Sequence, residues 1–136
     1  MQRQTAIVTI TPAQQQAIRE KKPRVYAEAS FQAKCIFWAH NERPETEDHI
    51  WAINNNSKNK REGAKNKALG VIAGVSDLQM FWKNQFYCLE MKTVTGSLST
   101  AQKKWRLKME AHGAIYYKIN EDFEMFKSII DKILES

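Results

Sequence analysis

The chain is 136 residues long, 43% hydrophobic and 26% charged, with five Gly and three Pro. That composition supports one packed core and excludes collagen-like, low-complexity and wholly disordered chains. Lys and Arg number 21 against 15 Asp and Glu, a formal net charge of +6; no apolar run reaches the ~18 residues of a membrane span, and Met1-Gln2-Arg3-Gln4 leads into no long apolar signal segment.

Residues 1–10 read as an extended lead-in. Thr11 before Pro12 is an N-cap followed by proline at the first helical position, which opens a short helix to about Lys22, ended by Pro23. A stronger helix is predicted from about Val25 to Trp38, with Ala27, Phe31, Cys35 and Trp38 on one stripe. An acidic loop with Pro44 follows, then a short strand from His49 to Ile53, broken by Asn54-Asn55-Asn56-Ser57. Lys58 to Leu69 is polar and helical in pattern, although Gly63 weakens it.

Asp77 to Trp82 and Gln85 to Lys92 read as a hairpin turning at Lys83-Asn84. A two-residue turn pairs 82 with 85, 80 with 87 and 78 with 89, so Asp77 lies opposite Glu90. Alternation then sends Glu90 and Lys92 to one face, Leu89 and Met91 to the other. After a loop, Ser99 and Gln102 match a capping box for a helix to about Ala111, stopped by His112-Gly113. Ala114 to Ile119 is a strand, and the strand-helix-strand order implies a parallel crossover. The last helix, about Glu121 to Leu134, stripes Phe123, Phe126, Ile130 and Ile133. The whole is one α/β domain with a mixed sheet.

Two carboxylates on one face of a hairpin make an oxygen-rich pocket suited to Mg²⁺ or Mn²⁺, and a nearby cation relieves their repulsion. Lys92, two residues along the same strand from Glu90, lands beside that pocket, where it can orient water or neutralise phosphate charge. An Asp opening a strand is also an ordinary turn residue, and a Glu and Lys at i, i+2 an ordinary edge-strand pair. The stretch around them is the most apolar in the chain, however, so solubility does not explain them. Basic residues gather in two runs, Lys58, Lys60, Arg61, Lys65, Lys67 and Lys103, Lys104, Arg106, Lys108. Either run suits a solvated helix face; two on a small basic chain also suit a polyanion, because each Lys or Arg that neutralises a phosphate releases counterions.

Cys35 and Cys88, far apart in apolar contexts, read as reduced core thiols of a cytoplasmic protein. His40, His49 and His112 have no metal-ligand spacing, and Trp38, Trp51, Trp82 and Trp105 read as core.

Gly74-Val75-Ser76-Asp77-Leu78, then Leu89-Glu90-Met91-Lys92, then Gly96, Ser99 and Gln102, then Gly113, together resemble the VRR-NUC domain. This is a branch of the PD-(D/E)XK nuclease superfamily, related in fold to archaeal Holliday-junction resolvases. The resemblance implies a restriction-endonuclease-like core, a mixed central sheet flanked by helices, over residues 25–136, after an N-terminal extension of residues 1–24 with its short helix. It implies Asp77 and Glu90 as metal ligands, joined by the Met91 carbonyl and by Glu28 of the early helix, with Lys92 as catalytic lysine. Gln102 would point back at the site, a role compatible with its capping box. Asn55, with the basic run of Lys58, Lys60, Arg61, Lys65 and Lys67, would line the nucleic acid. One departure is clear: Ser76 stands where the family has proline, and the bend before Asp77 must be shaped otherwise.

The expected function is a Mg²⁺-dependent endonuclease for branched DNA such as four-way junctions, with Mn²⁺ as substitute and no organic cofactor. Related small stand-alone domains of the phage type look like homodimers, and a two-fold dimer suits a junction's paired scissile sites. The alternatives are a catalytically silent nucleic-acid-binding module of the same fold and a restriction-type nuclease with base readout, for which the chain is small.

Overall fold

The rest of the sheet is built on the central hairpin. In the computed structural model, which describes residues 10–14, 24–54 and 59–136 and only the backbone of 24–27, β2 (Leu78–Trp82) pairs antiparallel with β3 (Gln85–Lys92). The pairs are Leu78 with Leu89, Met80 with Tyr87 and Trp82 with Gln85, the register that alternation predicts. Lys83 and Asn84 both hold positive φ, 45° and 65°, the mark of the turn whose twist matches a hairpin. Asn tolerates that region; Lys adopts it because the flanking pairs leave a two-residue loop no other route.

The sheet order is β1-β2-β3-β4. β1 (Ile50–Ala52) joins β2 antiparallel, and β4 (Ile115–Asn120) joins β3 parallel after the crossover through α3 (Thr100–Ala111). The molecule is therefore a single α/β domain with a mixed four-stranded sheet, and β3, paired on both edges, is its buried strand.

The two faces are covered differently. On one, Ile50, Leu78, Met80, Tyr87, Leu89, Met91 and Ile119 meet Phe31, Cys35 and Ala39 of α1 (Arg24–Glu42) and Phe126, Ile129, Ile130 and Ile133 of α4 (Phe123–Glu135). On the other, Cys88 and Tyr116 lie under Trp105 of α3, flanked by Phe86 and Met109. Both cysteines are free and buried, one under each layer, and burial pushes their thiols up to about 12 and about 11. Phe126 is fully buried in the larger cluster. Phe126→Ala should cost about 3–5 kcal/mol in chemical denaturation, with the slope against denaturant unchanged.

Several boundaries differ from the sequence reading. α1 runs to Glu42, four residues past Trp38, because Ala39 still packs on the sheet. The acidic loop holds a 3-10 turn, Pro44–Thr46, with Arg43 clamping Asp131 of α4 through Nε–Oδ1 at 2.6 Å and Nη2–Oδ2 at 3.2 Å. Trp105 is buried and Trp38 and Trp82 pack on the core, but Trp51 is exposed on the edge strand, its indole donating to Gln79. Thr11 and Gln14 exchange backbone–side-chain hydrogen bonds at 2.9 and 3.2 Å, the cap predicted there; the rest of that first helix lies outside the described residues. Among the described residues no helix is long and apolar enough to cross a membrane.

Candidate metal centre

Asp77 immediately precedes β2, and the hairpin register sets it across from Glu90. Three hydrogen bonds join the two chain segments and α3. The Asp77 amide donates to Glu90 Oε2 at 3.2 Å, the Met91 amide donates to Asp77 Oδ2 at 3.0 Å, and Gln102 Nε2 donates to Glu90 Oε1 at 2.8 Å. Lys92 Nζ lies 3.7 Å from Glu90 Oε1, with only 14% of its side chain exposed. The sequence thus places Asp77, Glu90, Lys92 and Gln102, and the fold brings all four together.

Gln102 reaches Glu90 because of its place in the helix. Ser99 Oγ accepts from the Gln102 amide at 3.2 Å, and Gln102 Oε1 accepts from the Ser99 amide at 2.8 Å. The carboxamide oxygen caps the helix while its NH₂ is left to face Glu90, so the capping role and the site role coexist in one side chain.

Ser76 takes over the shaping of the bend. Its buried hydroxyl donates to the Leu78 carbonyl at 2.9 Å, closing the turn that delivers Asp77. Gly74, at φ 86°, approaches the first turn of α3 so closely that a Cβ there would overlap the Ala101 carbonyl. On the far side of the site, Asn120 donates to the carbonyls of Thr93 at 2.7 Å and Gly96 at 2.8 Å, pinning the loop between Lys92 and α3.

Electrostatics follow from burial. Glu90 is 1% exposed. Desolvation, then the neighbouring Asp77 charge, push its carboxyl up to about 8, against the pull of Lys92. Desolvation also raises Asp77, opposed by the Met91 amide and by a side-chain hydrogen bond with Glu90. Burial therefore favours the protonated form at both acids, and the Asp77 charge adds to it at Glu90. The Tyr116 hydroxyl is buried on the same face with no hydrogen-bond partner among the described residues; burial and the nearby Glu90 charge push the phenol up.

The donor set fits a small hard cation. Two carboxyl groups, each oxygen with a lone pair to spare, are what Mg²⁺ takes when water and substrate phosphate complete its shell. Among the described residues no three His, Cys, Asp or Glu group together as a ready metal cluster; Glu28, expected as a further ligand, is carried by α1. It lies one turn before Phe31 on α1, half-buried, and α1 packs on the opposite face of the sheet. The Met91 side chain is buried on that opposite face too, so its main chain alone borders the site.

Of the expected nucleic-acid contacts, Lys60, Arg61, Lys65 and Lys67 are exposed on α2 (Lys60–Ala68), a helix with no buried residue, capped by Asn59. Asn55 and Lys58 lie outside the described residues. The sequence reading missed Tyr116, which alternation along β4 puts on the same face as Cys88 and Glu90. No protein family, characterised protein or solved structure matches the chain.

Proposed function

We propose that the protein is a divalent-metal-dependent endonuclease that hydrolyses phosphodiester bonds in branched DNA, four-way junctions among them, and works as a homodimer. The observation that carries this reading is the acid pair: Asp77 and Glu90 held side by side by main-chain amides that donate to their carboxylates, with an ammonium 3.7 Å from Glu90. The PD-(D/E)XK core implied by the resemblance to VRR-NUC domains belongs to the same proposal. The element order supports it, with an acid before the hairpin, Glu-x-Lys on the buried strand and a glutamine on the crossover helix.

Asp77 and Glu90, with the Met91 carbonyl, would hold Mg²⁺ or Mn²⁺; when bound, the cation would supply Lewis acidity at the scissile phosphate. Gln102 fixes the Glu90 carboxylate in orientation through its 2.8 Å bond. Lys92 offers its ammonium to a phosphoryl oxygen, so that charge gathering in the transition state meets a fixed cation. Burial of Glu90 and Lys92 lowers the local dielectric and strengthens that interaction. The exposed Lys60, Arg61, Lys65 and Lys67 would hold flanking phosphates without reading bases.

A panel of junction, flap, splayed-arm and duplex DNA tests the reading. The wild type should nick branched substrates in Mg²⁺ or Mn²⁺ and stop in EDTA. Asp77→Asn and Lys92→Ala should each lose more than about 100-fold in rate while melting like folded protein, since even groups that merely support metal ligands are worth 10–100-fold. Binding that persists in EDTA, with no strand cut under any metal, would instead identify a silent binding module.

A further inference from the structure

We propose that Lys118 is a second phosphate-contacting cation, holding the phosphate next to the one that faces Asp77 and Glu90; this rests on the nuclease reading above. The parallel pairing of β3 with β4 sets Lys118 directly beside Glu90, just as the antiparallel pairing sets Asp77 on its other side. Three neighbouring chain segments thus carry an acid, an acid and a base in one row across the sheet, with strands about 4.8 Å apart. The face is the same for all three. Tyr116, two residues earlier on β4, packs with Cys88 and Trp105 on the α3 side, while Ile119 packs on the other.

Lys118 is half-buried, yet it forms no ion pair among the described residues; the cation near Glu90 is Lys92. Two polar side chains of the same region, Arg106 and Asn120, are otherwise engaged. Arg106 pairs with Glu110 at 2.8 Å and lies over the Tyr116 ring at 4.8 Å. Asn120, in register with Lys92, is spent on the loop carbonyls. A half-buried ammonium without an ion pair among the described residues, and with an acid pair on the neighbouring chain segments, is placed for an incoming polyanion. β4 is one of the two edge strands among the described residues, so the row runs from the acids past Lys118 to a sheet edge, the direction in which a bound strand would continue. The same side of the domain bears the exposed Lys103, Lys104 and Lys108 of α3.

The test measures binding of a labelled four-way junction, with Ca²⁺ in place of Mg²⁺, across a salt series. Lys118→Gln should weaken binding and lower the slope of log K against log salt by about one, the signature of one lost phosphate contact. Lys118→Arg should restore the slope. Lys132→Gln, an exposed lysine on α4, should leave it unchanged. In cleavage, Lys118→Gln should raise KM more than it lowers kcat, the reverse of Lys92→Ala. Lys118→Met, which keeps the stem, replaces the Gln variant if that one fails to fold. An unchanged slope with intact wild-type binding overturns the inference and leaves the nuclease reading standing. A reduced slope in a wild type that cuts nothing sinks the nuclease reading and leaves the contact standing. No binding by the wild type overturns both.

Discussion

Glu90→Gln should abolish metal-dependent cleavage and at the same time stabilise the protein above neutral pH. A carboxyl whose folded pKa lies above its unfolded value binds its proton more tightly in the native state. Its penalty is therefore absent below about 4.5 and grows as pH rises, complete once pH passes about 8. Asp77, also raised by burial, acts in the same direction. The wild type should lose on the order of 3 kcal/mol, or about 10 °C in Tm, between pH 5 and pH 9. The Gln variant keeps the shape and the Gln102 contact and removes one of the two buried charges, leaving Asp77, so its Tm should fall less across that window than that of the wild type. Mg²⁺ added at pH 8.5 should raise the Tm of the wild type and not of the variant, by mass action on the native state. A wild-type Tm independent of pH would show that the acids are solvated in the folded protein. The gain in stability with loss of activity is the expected trade at a site that holds like charges together.

Gly74→Ala should destabilise the fold by about 3 kcal/mol, the second large effect. At φ 86° an L side chain is strained, about 1 kcal/mol by itself, and the new methyl would meet the Ala101 carbonyl and the Gln102 amide nitrogen, 2.8 Å away. Neither is the end of a flexible side chain, so α3 must shift as a unit. Because Gln102 rides on that first turn, the bond to Glu90 should lengthen, and cleavage should fall beyond what the loss of folded protein explains. Gly70→Ala is the control: its φ is 92° but nothing lies within 4 Å of the added methyl, so it should cost only about 1 kcal/mol. Equal costs at the two positions, by urea denaturation, would refute the steric part of the argument.

The core of the site was legible because its determinants are local. A two-residue turn and the alternation of side chains set Asp77 against Glu90, and observed pairs from Leu78–Leu89 to Trp82–Gln85 follow that register. The Ser99–Gln102 box was equally legible, being written within four residues. What escaped lies across longer distances. The register of β3 with β4 passes through a helix of 12 residues, and nothing in a crossover's sequence counts its offset, so neither Lys118 beside Glu90 nor the buried Tyr116 hydroxyl was foreseen. The apolar stripe of α1 does not by itself say which face of the sheet it covers; packing sets Phe31, Cys35 and Ala39 against Leu89 and Met91. Trp51 looked like core by its chemistry, yet an edge strand of three residues leaves it half in water.

By itself, then, the chain's pattern determined most of the elements, the hairpin partnership and the juxtaposition of Asp77 with Glu90, since turn type, alternation and capping act over a few bonds. Tertiary structure decided how deeply Glu90 is buried and that burial raises both carboxyls above their ordinary range. It also decided that the bend before Asp77 is held by the Ser76 hydroxyl and the close approach of Gly74 to α3. Those outcomes depend on how much water the packing of α3 onto the sheet removes, and desolvation is a property of the assembled layers rather than of any short stretch of residues.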